Sequence, residues 1–128
     1  MILGVGIDII DFEDFSRIYK FLKKRKALKY LFFKEELKFE KDIKRLASIL
    51  ALKEATYKTI SPFLRKEILF NQIKILKRDS SKTEIIVEKN FFLPAYQKQF
   101  LKKKMHFFLS LSYSKKSVIA LVVAELRD

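Results

Sequence analysis

The stretch Leu50-Ala-Leu-Lys-Glu-Ala-Thr-Tyr-Lys58 organises the rest of this chain of 128 residues. Apolar and small residues around it recur at three- and four-residue spacing, which predicts one buried stripe of a helix formed by Ile43, Ala47, Leu50 and Tyr57. Glu54 falls on that stripe, and Lys58 follows one turn later. A carboxylate on a buried stripe is costly unless a cation, a hydrogen-bond network or a bound metal compensates it. The simpler interpretation is a surface Glu–Lys pair, which stabilises a helix by about 0.2–0.5 kcal/mol.

Length and composition limit the class of protein. A chain of 128 residues with 49% hydrophobic residues and 13 phenylalanines has the size and apolar content of one folded domain, residues 1–128. The absence of cysteine excludes a disulfide framework and is compatible with a reducing, cytoplasmic setting. No apolar run approaches the roughly 20 residues that span a bilayer, so we expect no membrane segment.

The net charge of +13 comes from 28 basic and 15 acidic residues. Such an excess favours an acidic partner, which could be nucleic acid, anionic lipid, a phosphorylated ligand or an acidic protein. Charge alone does not choose among these partners, and a lysine-rich proteome would give the same excess.

Strand and helix patterns alternate around a long helix predicted over 42–60. Residues 2–10 predict a buried strand, in which Gly4 and Gly6 indicate the close approach of another backbone or a ligand. A helix predicted over 11–24 has a buried stripe formed by Phe12, Phe15, Ile18, Tyr19 and Leu22. Further patterns predict helices over 34–41 and 91–104, and strands over 70–77, 83–88, 109–114 and 117–126. The fold class is α+β, a small, mostly antiparallel sheet packed around one long central helix.

Asp8 and Glu54 each lie in an otherwise apolar stretch, one on the first strand and one on the central helix. If that helix packs on that strand, the two carboxylates converge, and they do not both stay ionised in a dry site without a cation. Carboxylate oxygens and water are the ligands that Mg²⁺ takes. The absence of cysteine and the single histidine, His106, which we interpret as structural, argue against zinc. A buried network of acids and lysine without a metal is the alternative.

Two motifs carry a resemblance to a known family. The stretch Gly4-Val-Gly-Ile-Asp8-Ile-Ile-Asp11 resembles G-x-G-x-D-[IV]-x-[ED], and Lys53-Glu54-Ala55-x-x-Lys58 resembles the end of F-x-x-K-E-A-x-x-K. These are the signatures of the holo-[acyl-carrier-protein] synthases, the bacterial 4'-phosphopantetheinyl transferases. Phe70-Asn-Gln72 and the closing strand up to Glu125 are also similar to stretches of that family. The motifs stand in order at the family's spacing, so the resemblance spans nearly the whole chain.

The resemblance implies a reaction, a site and an assembly. A serine hydroxyl of an apo-acyl carrier protein attacks the β-phosphate of coenzyme A, phosphopantetheine moves to the serine, and 3',5'-ADP leaves. Asp8 and Glu54 would hold Mg²⁺, and Glu54 and Lys58 would form the catalytic pair, with Lys58 against the pyrophosphate. The implied assembly is a homotrimer with active sites between subunits.

Departures from the family's pattern concern the grip on coenzyme A. Ser61-Pro-Phe63 stands where the family often has a Gly-Thr-Gly loop, Ile49 replaces a usual basic residue, and Tyr113 replaces a frequent histidine. The residues that we predict to bind coenzyme A are Lys58, Lys44, Ser61, Lys82 and Tyr113, with Arg45 as a further source of phosphate contacts.

The first helix ends in basic residues and resembles the family's docking helix for acyl carrier proteins, which are strongly acidic. The residues that we predict for carrier-protein docking are Arg17, Lys20, Lys24 and Arg25.

Two other functions are compatible with these residues. Lysines interleaved with aromatic residues over 30–41 and 97–108 favour a small basic nucleic-acid-binding module. That interpretation leaves Asp8 and Glu54 unexplained, so we do not expect a nucleic acid as partner. We also expect no membrane as partner. The second alternative is a family member that binds carrier protein but transfers weakly, because the glycine loop is missing.

Overall fold

The computed structural model describes residues 1–78 and 82–128. The main elements in those ranges are β1 (Ile2–Asp11), α1 (Phe12–Lys24), α2 (Ile43–Ile60), β2 (Lys74–Arg78), β3 (Lys82–Ile86), α3 (Pro94–Lys102), β4 (Lys104–Tyr113) and β5 (Ser117–Arg127). Short 3₁₀ turns lie at Leu28–Tyr30, Glu36–Phe39, Ser61–Phe63, Phe70–Gln72 and Lys89–Phe91. None of the helices in the described ranges combines the length and the apolar content needed to cross a bilayer.

Three strands form the main sheet, in the order β1-β5-β4. The first strand pairs with the last in antiparallel register from Ile2↔Glu125 to Asp11↔Ser117, with an irregularity between Ile2 and Gly4. Strands β4 and β5 are also antiparallel, and β2 and β3 form a separate two-stranded hairpin. Because every pairing among the described strands is antiparallel and α2 packs against both β1 and β5, the predicted α+β architecture is confirmed.

The central helix α2 is buried on most of its surface, including every residue from Leu46 to Lys53. Such a helix belongs to the core and has no wide polar face. It begins after Asp42, whose carboxylate accepts the N–H of Arg45 at 3.1 Å and so caps the first turn. It ends at Ser61, where Pro62 follows in a 3₁₀ turn.

Helix α1 is capped by Asp11, which accepts the N–H of Asp14 at 2.9 Å. Phe15 and Tyr19 are buried, and Phe15 meets Phe32 edge to face at 6.4 Å. The prediction that Ile18 belongs to the buried stripe is wrong, since this side chain is 49% exposed. The inward stripe is narrower than predicted, and Ile18 lies on its margin.

Two boundary predictions were wrong. Residues 70–72 form a 3₁₀ turn rather than the start of a strand, with the Phe70 ring edge-on to Tyr57 at 5.9 Å. The helix predicted over 91–104 covers only Pro94–Lys102, and β4 begins at Lys104 instead of residue 109. Pairing of residues 104–108 with the end of β5 overrides the local helical pattern. Most of the loop predicted over 78–82 lies outside the described residues.

Candidate functional site

Helix α2 lies directly on β1 at two glycines. A Cβ atom added to Gly6 would stand 1.9 Å from the carbonyl oxygen of Ala55, and one added to Gly4 would stand 2.8 Å from that of Thr59. The predicted close approach at these glycines is therefore confirmed, and the approaching backbone is that of α2. Asp8 is two residues beyond Gly6 and so points to the same face of the strand. This contact brings Asp8 to the side of α2 that carries Glu54 and Lys58.

Lys58 reaches from α2 to β1. Its ammonium donates to the carbonyl oxygen of Ile7 at 2.7 Å and to Oδ1 of Asp8 at 3.2 Å. The Asp8 side chain is only 14% exposed, whereas the Lys58 side chain is 53% exposed. Lys58 is thus tethered to the strand and still open to a ligand.

Glu54 and Asp8 form a pair of carboxyl groups, and one oxygen of the pair has no hydrogen-bond partner. Oδ2 of Asp8 is buried and has no hydrogen-bond partner. Burial, together with the nearby Asp8 carboxyl, raises the pKa of Glu54 to about 8, although Lys58 partly opposes this shift. A hydrogen bond between two carboxyl groups forms only when one of them holds a proton. Near neutral pH the pair therefore needs either a proton or a second cation besides Lys58.

The donor set suits a hard cation that keeps part of its shell for other ligands. Within residues 1–78 and 82–128, no cluster of three or more His, Cys, Asp or Glu side chains could hold a metal. Two carboxylates that share an ion with water and substrate oxygens are typical of Mg²⁺. The unpartnered oxygen of Asp8 and the raised pKa of Glu54 fit a site that would bind a divalent cation.

A second concave feature, here called the hairpin pocket, lies between α2, β4 and the β2–β3 hairpin. Its volume is about 280 Å³, and it is lined by Arg45, Ser48, Ile49, Leu52, Ile75, Lys77, Thr83, Leu111 and Tyr113. The hydroxyl groups of Tyr113 and Ser48 lie 3.0 Å apart, and Ser48 donates to the carbonyl oxygen of Lys44 at 2.8 Å. The pocket combines apolar side chains with the positively charged Arg45 and Lys77. This combination suits a phosphorylated ligand with an apolar part.

The hairpin pocket and the Asp8–Glu54 pair lie at opposite edges of the main sheet. Asp8 is on β1 and Tyr113 is on β4, and β5 separates these strands by two spacings, about 10 Å in all. Leu52 of the pocket and Glu54 are two residues apart on α2, which turns them about 200° from each other. The body of α2 therefore stands between the two features within one subunit.

The structure separates the residues predicted to bind coenzyme A. Tyr113 lines the hairpin pocket, as does Arg45, and Lys58 contacts Asp8. Lys44 lies in the first turn of α2 with its ammonium 5.4 Å from the Phe12 ring centroid, and Ser61 begins the turn after α2. Lys82 lines a different groove, of about 460 Å³, between β3 and β4. Five locations are thus involved instead of one.

The sequence-based prediction missed three polar residues of the hairpin pocket, Lys77, Thr83 and Ser48. A signal was present for the first, because Lys77 follows Ile75 at the two-residue spacing that places both on one face of a strand. Nothing local indicated Thr83, which lies in the pocket because β3 pairs with β2 in the register Lys77↔Thr83.

Three of the four predicted docking residues share one surface on α1. Lys20, Lys24 and Arg25 line a shallow concavity of about 710 Å³ together with Lys23 and Phe21. The Arg25 guanidinium lies 3.7 Å from the centroid of the Phe21 ring, which is 53% exposed. Arg17 lies outside this concavity and pairs with Asp14 at 2.5 Å. The exposed apolar side chain of Phe21 was not predicted as part of this surface.

The fold and the paired motifs define the class of protein. Residues 4–122 match the family model described as the 4'-phosphopantetheinyl transferase superfamily, and the chain belongs to this superfamily. The resemblance seen in the two motifs is confirmed.

Individual relatives are similar along almost their whole length. The holo-[acyl-carrier-protein] synthase of Pelagibacter ubique is 30% identical over 128 residues, which cover 97% of each chain. That of Buchnera aphidicola is 32% identical over 127 residues, with 97% of this chain and 98% of the relative covered. The crystal structure of Helicobacter pylori holo-[acyl-carrier-protein] synthase in complex with coenzyme A matches with a TM-score of 0.72 at 25% identity, covering 94% of this chain and 99% of that one.

Proposed function

We propose that this chain transfers 4'-phosphopantetheine from coenzyme A to a serine of an apo-acyl carrier protein and releases 3',5'-ADP. The observation that carries the proposal is the convergence of Asp8, Glu54 and Lys58 at the positions of the two family motifs. A lysine beside two acids that would hold a cation forms a half-buried site where charge on phosphate oxygens would be neutralised. The attacking serine belongs to the carrier protein, so the chain needs no nucleophile of its own.

Asp8 and Glu54 are the residues that would hold Mg²⁺. The buried, unpartnered oxygen of Asp8 and the raised pKa of Glu54 support this assignment, because both are relieved by a divalent cation. When bound, the ion would offset negative charge on the phosphate oxygens of coenzyme A.

Lys58 supplies the second positive charge. The carbonyl oxygen of Ile7 and the Asp8 carboxylate hold its ammonium beside the acid pair, and half of the side chain remains accessible. In this position it would contact the pyrophosphate and stabilise the charge that the departing 3',5'-ADP carries. This contribution is one of positioning and electrostatics.

We propose that the active protein is a homotrimer of one-domain subunits, with each site built from two subunits. Pairing of β1 with β5, the first and last strands, supports one domain over 1–128. Opposite placement of the hairpin pocket and the acid pair supports a shared site, since one coenzyme A could reach the acids of one subunit and the pocket of a neighbour. The sheet face away from α2 supports self-association, because it exposes apolar side chains by 37–63%, namely Val5, Ile7, Ile9, Phe108, Ile119 and Leu121.

The partner on α1 would be the acyl carrier protein. Lys20, Lys24 and Arg25 surround Phe21, so the surface joins an apolar anchor to a rim of positive charge. An acidic partner that buries Phe21 would gain both apolar contact and charge complementarity. A cytoplasmic location is part of the proposal and is supported by the absence of cysteine.

The decisive experiment is a mass measurement on the carrier protein. The chain is incubated with coenzyme A, Mg²⁺ and apo-acyl carrier protein, and we expect the carrier to gain one phosphopantetheine. A carrier whose serine is replaced by alanine serves as the control and should gain nothing. Binding of the carrier without any mass gain would support the binding-only alternative and contradict transfer, and salt-dependent binding of random RNA with no carrier binding would favour the nucleic-acid alternative.

The Glu54→Gln variant tests the metal assignment separately. We expect its transfer rate to fall by at least about 100-fold, because the acid pair loses one ligand charge and the phosphate oxygens lose their cation. A variant that kept the full Mg²⁺-dependent rate would rule out Glu54 as a metal ligand even if transfer by the parent chain is observed.

A further inference from the structure

A buried ion pair joins α2 to the 31–36 segment. The side chains of Lys53 and Glu36 are 0% and 2% exposed, and Nζ of Lys53 lies 2.5 Å from Oε1 of Glu36. The same ammonium donates to the carbonyl oxygens of Leu31 at 3.0 Å and Phe70 at 2.9 Å. Its three N–H donors thus have three acceptors, two on the 31–36 segment and one at Phe70.

Glu36 extends this network to the start of the hairpin. Its Oε1 accepts the N–H of Phe33 at 3.0 Å, and its Oε2 accepts the N–H of Ile75 at 2.8 Å. A charged acceptor makes each of these hydrogen bonds stronger than a neutral one would be. One polar network therefore ties α2, the 31–36 segment, the turn at Phe70 and strand β2 together.

The hairpin depends on this network for its position. Strands β2 and β3 form a sheet of their own, and a lone two-stranded hairpin is marginally stable. The N–H of Ile75 is bonded to Glu36, so the edge of β2 that faces away from β3 is fixed against the protein body. Ile75, Lys77 and Thr83 of this hairpin form one wall of the hairpin pocket, while Ile49 and Leu52 of α2 form the other.

We propose that Lys53 and Glu36 are positioning residues that set the separation of the two walls of the hairpin pocket and thereby the binding of coenzyme A. Both side chains are too deeply buried to touch a ligand, so they act through the hairpin. The inference rests on the proposed function in one respect, that it takes the hairpin pocket as part of the coenzyme A site. In the sequence, Lys53 lies between Leu52, which lines the hairpin pocket, and Glu54, which belongs to the acid pair. The Lys53 side chain holds the pocket wall that the hairpin forms.

Hydrogen exchange of the Glu36→Gln variant tests the position of the hairpin. Glutamine keeps the shape and loses the charge, so we expect amides of residues 74–78 and 82–86 to exchange about tenfold faster, while those of β5 keep their rates. The variant Glu40→Gln is the matched control, since it removes the ion pair of Glu40 with Lys23 at the surface, 3.2 Å long. It should leave the hairpin amides unchanged.

Kinetics separate positioning from a merely structural role. For Glu36→Gln we expect the KM for coenzyme A to rise about tenfold while kcat and the KM for the carrier stay within about twofold, because the acid pair lies at the other edge of the sheet. If Glu36→Gln does not fold, the double variant Glu36→Leu, Lys53→Met replaces it, since exchanging a buried ion pair for apolar residues is often neutral for stability.

Two results would overturn the inference. One is faster exchange throughout the protein with an unchanged KM for coenzyme A, which would make the pair a general stabiliser. The other is unchanged exchange of the hairpin amides both in Glu36→Gln and in the double variant Glu36→Leu, Lys53→Met. If the parent chain transfers no phosphopantetheine, the proposed function fails by itself, and the exchange measurement still decides whether the pair positions the hairpin.

Discussion

At the residue scale, Glu54 is the side chain whose chemistry depends most on its surroundings. Its carboxyl lies against Asp8 in a half-buried site, and burial is the main reason why its pKa is raised from 4.5 to about 8. Lys58 opposes this shift without cancelling it, because its ammonium is bonded to Ile7 and Asp8. The site therefore holds a proton near neutral pH in the absence of another cation.

We expect this proton to appear in the pH dependence of stability. Between pH 4.5 and about 8 the folded chain holds a proton on Glu54 that the unfolded chain has lost, so the stability of the metal-free protein falls as pH rises through that range. Glu54→Gln removes this contribution, and the variant should be the more stable of the two proteins at pH 8. Urea unfolding of both proteins at pH 5, 6.5 and 8 measures the difference, and equal slopes would contradict the assignment of the proton.

The same proton on Glu54 should also affect the binding of Mg²⁺. Below pH 8 the ion must displace the proton of Glu54, so we expect the apparent affinity for Mg²⁺ to decrease as the pH is lowered. The decrease approaches a limit of about tenfold for each pH unit. Calorimetry in two buffers of different ionisation enthalpy counts the released proton. An affinity that did not change between pH 6 and 8 would mean that the ion binds without Glu54.

At the scale of elements, the contact of α2 with β1 is the one that assembles the site. Both glycines meet carbonyl oxygens of the helix, but the tolerance differs, since a Cβ at Gly6 would lie 1.9 Å from its neighbour and one at Gly4 would lie 2.8 Å away. The first distance requires one backbone to move as a whole. Any such movement separates Asp8 from Glu54, which is adjacent to Ala55.

A pair of alanine variants measures this contact. We expect Gly6→Ala to destabilise the fold by about 3 kcal/mol or more and to abolish transfer, because neither backbone can yield locally. Gly4→Ala should cost less, about 1–2 kcal/mol, since a backbone shift of a few tenths of an ångström relieves most of the overlap with Thr59. Urea unfolding and the transfer rate are the two measurements. Equal losses for both variants would show that the close approach is not what limits this interface.

Helix α1 has a buried face that stabilises the fold and an exposed face that is the proposed docking surface. Phe21→Ala removes a half-exposed ring, so we expect stability to change by less than about 0.5 kcal/mol. The same change should raise the KM for the carrier protein by about 30-fold if Phe21 is the apolar anchor of the interface. Phe15→Ala is the control, because this ring is buried and its loss should cost about 3–5 kcal/mol of stability. An unchanged KM for the carrier protein in Phe21→Ala would show that the carrier docks on another surface.

At the scale of the whole molecule, the question is how two distant features could serve one substrate. The acid pair lies at the β1 edge and the hairpin pocket at the β4 edge, with α2 between them. A cyclic assembly with head-to-tail interfaces would bring the acid edge of one subunit to the pocket edge of the next. The exposed apolar sheet face offers the surface for such an assembly.

Mixing two inactive variants tests the shared site. Glu54→Gln loses the acid pair, and the double variant Lys77→Glu, Tyr113→Asp loses the hairpin pocket, so each should be inactive alone. After co-refolding at equal amounts, we expect about a quarter of the interfaces to combine an intact acid pair with an intact pocket, and activity to return to that level. Ultracentrifugation of the parent chain checks for the trimer mass. A monomeric parent chain, or no return of activity in the mixture, would contradict a site shared between two subunits.

Local patterns predicted the residues of the proposed site and most of the elements that hold them. The glycine pair, Asp8, Glu54 and Lys58 were identified from spacing and from the two motifs, and hydrophobic periodicity predicted the two main helices over 11–24 and 42–60. Such features can be predicted because periodicity and glycine content act over a few residues. Tertiary structure alone decided the exposure of Ile18, the start of β4, the lining of the hairpin pocket and the Lys53–Glu36 pair. These depend on which distant segments pack together, and a local pattern indicates that a residue will be buried without specifying its partner.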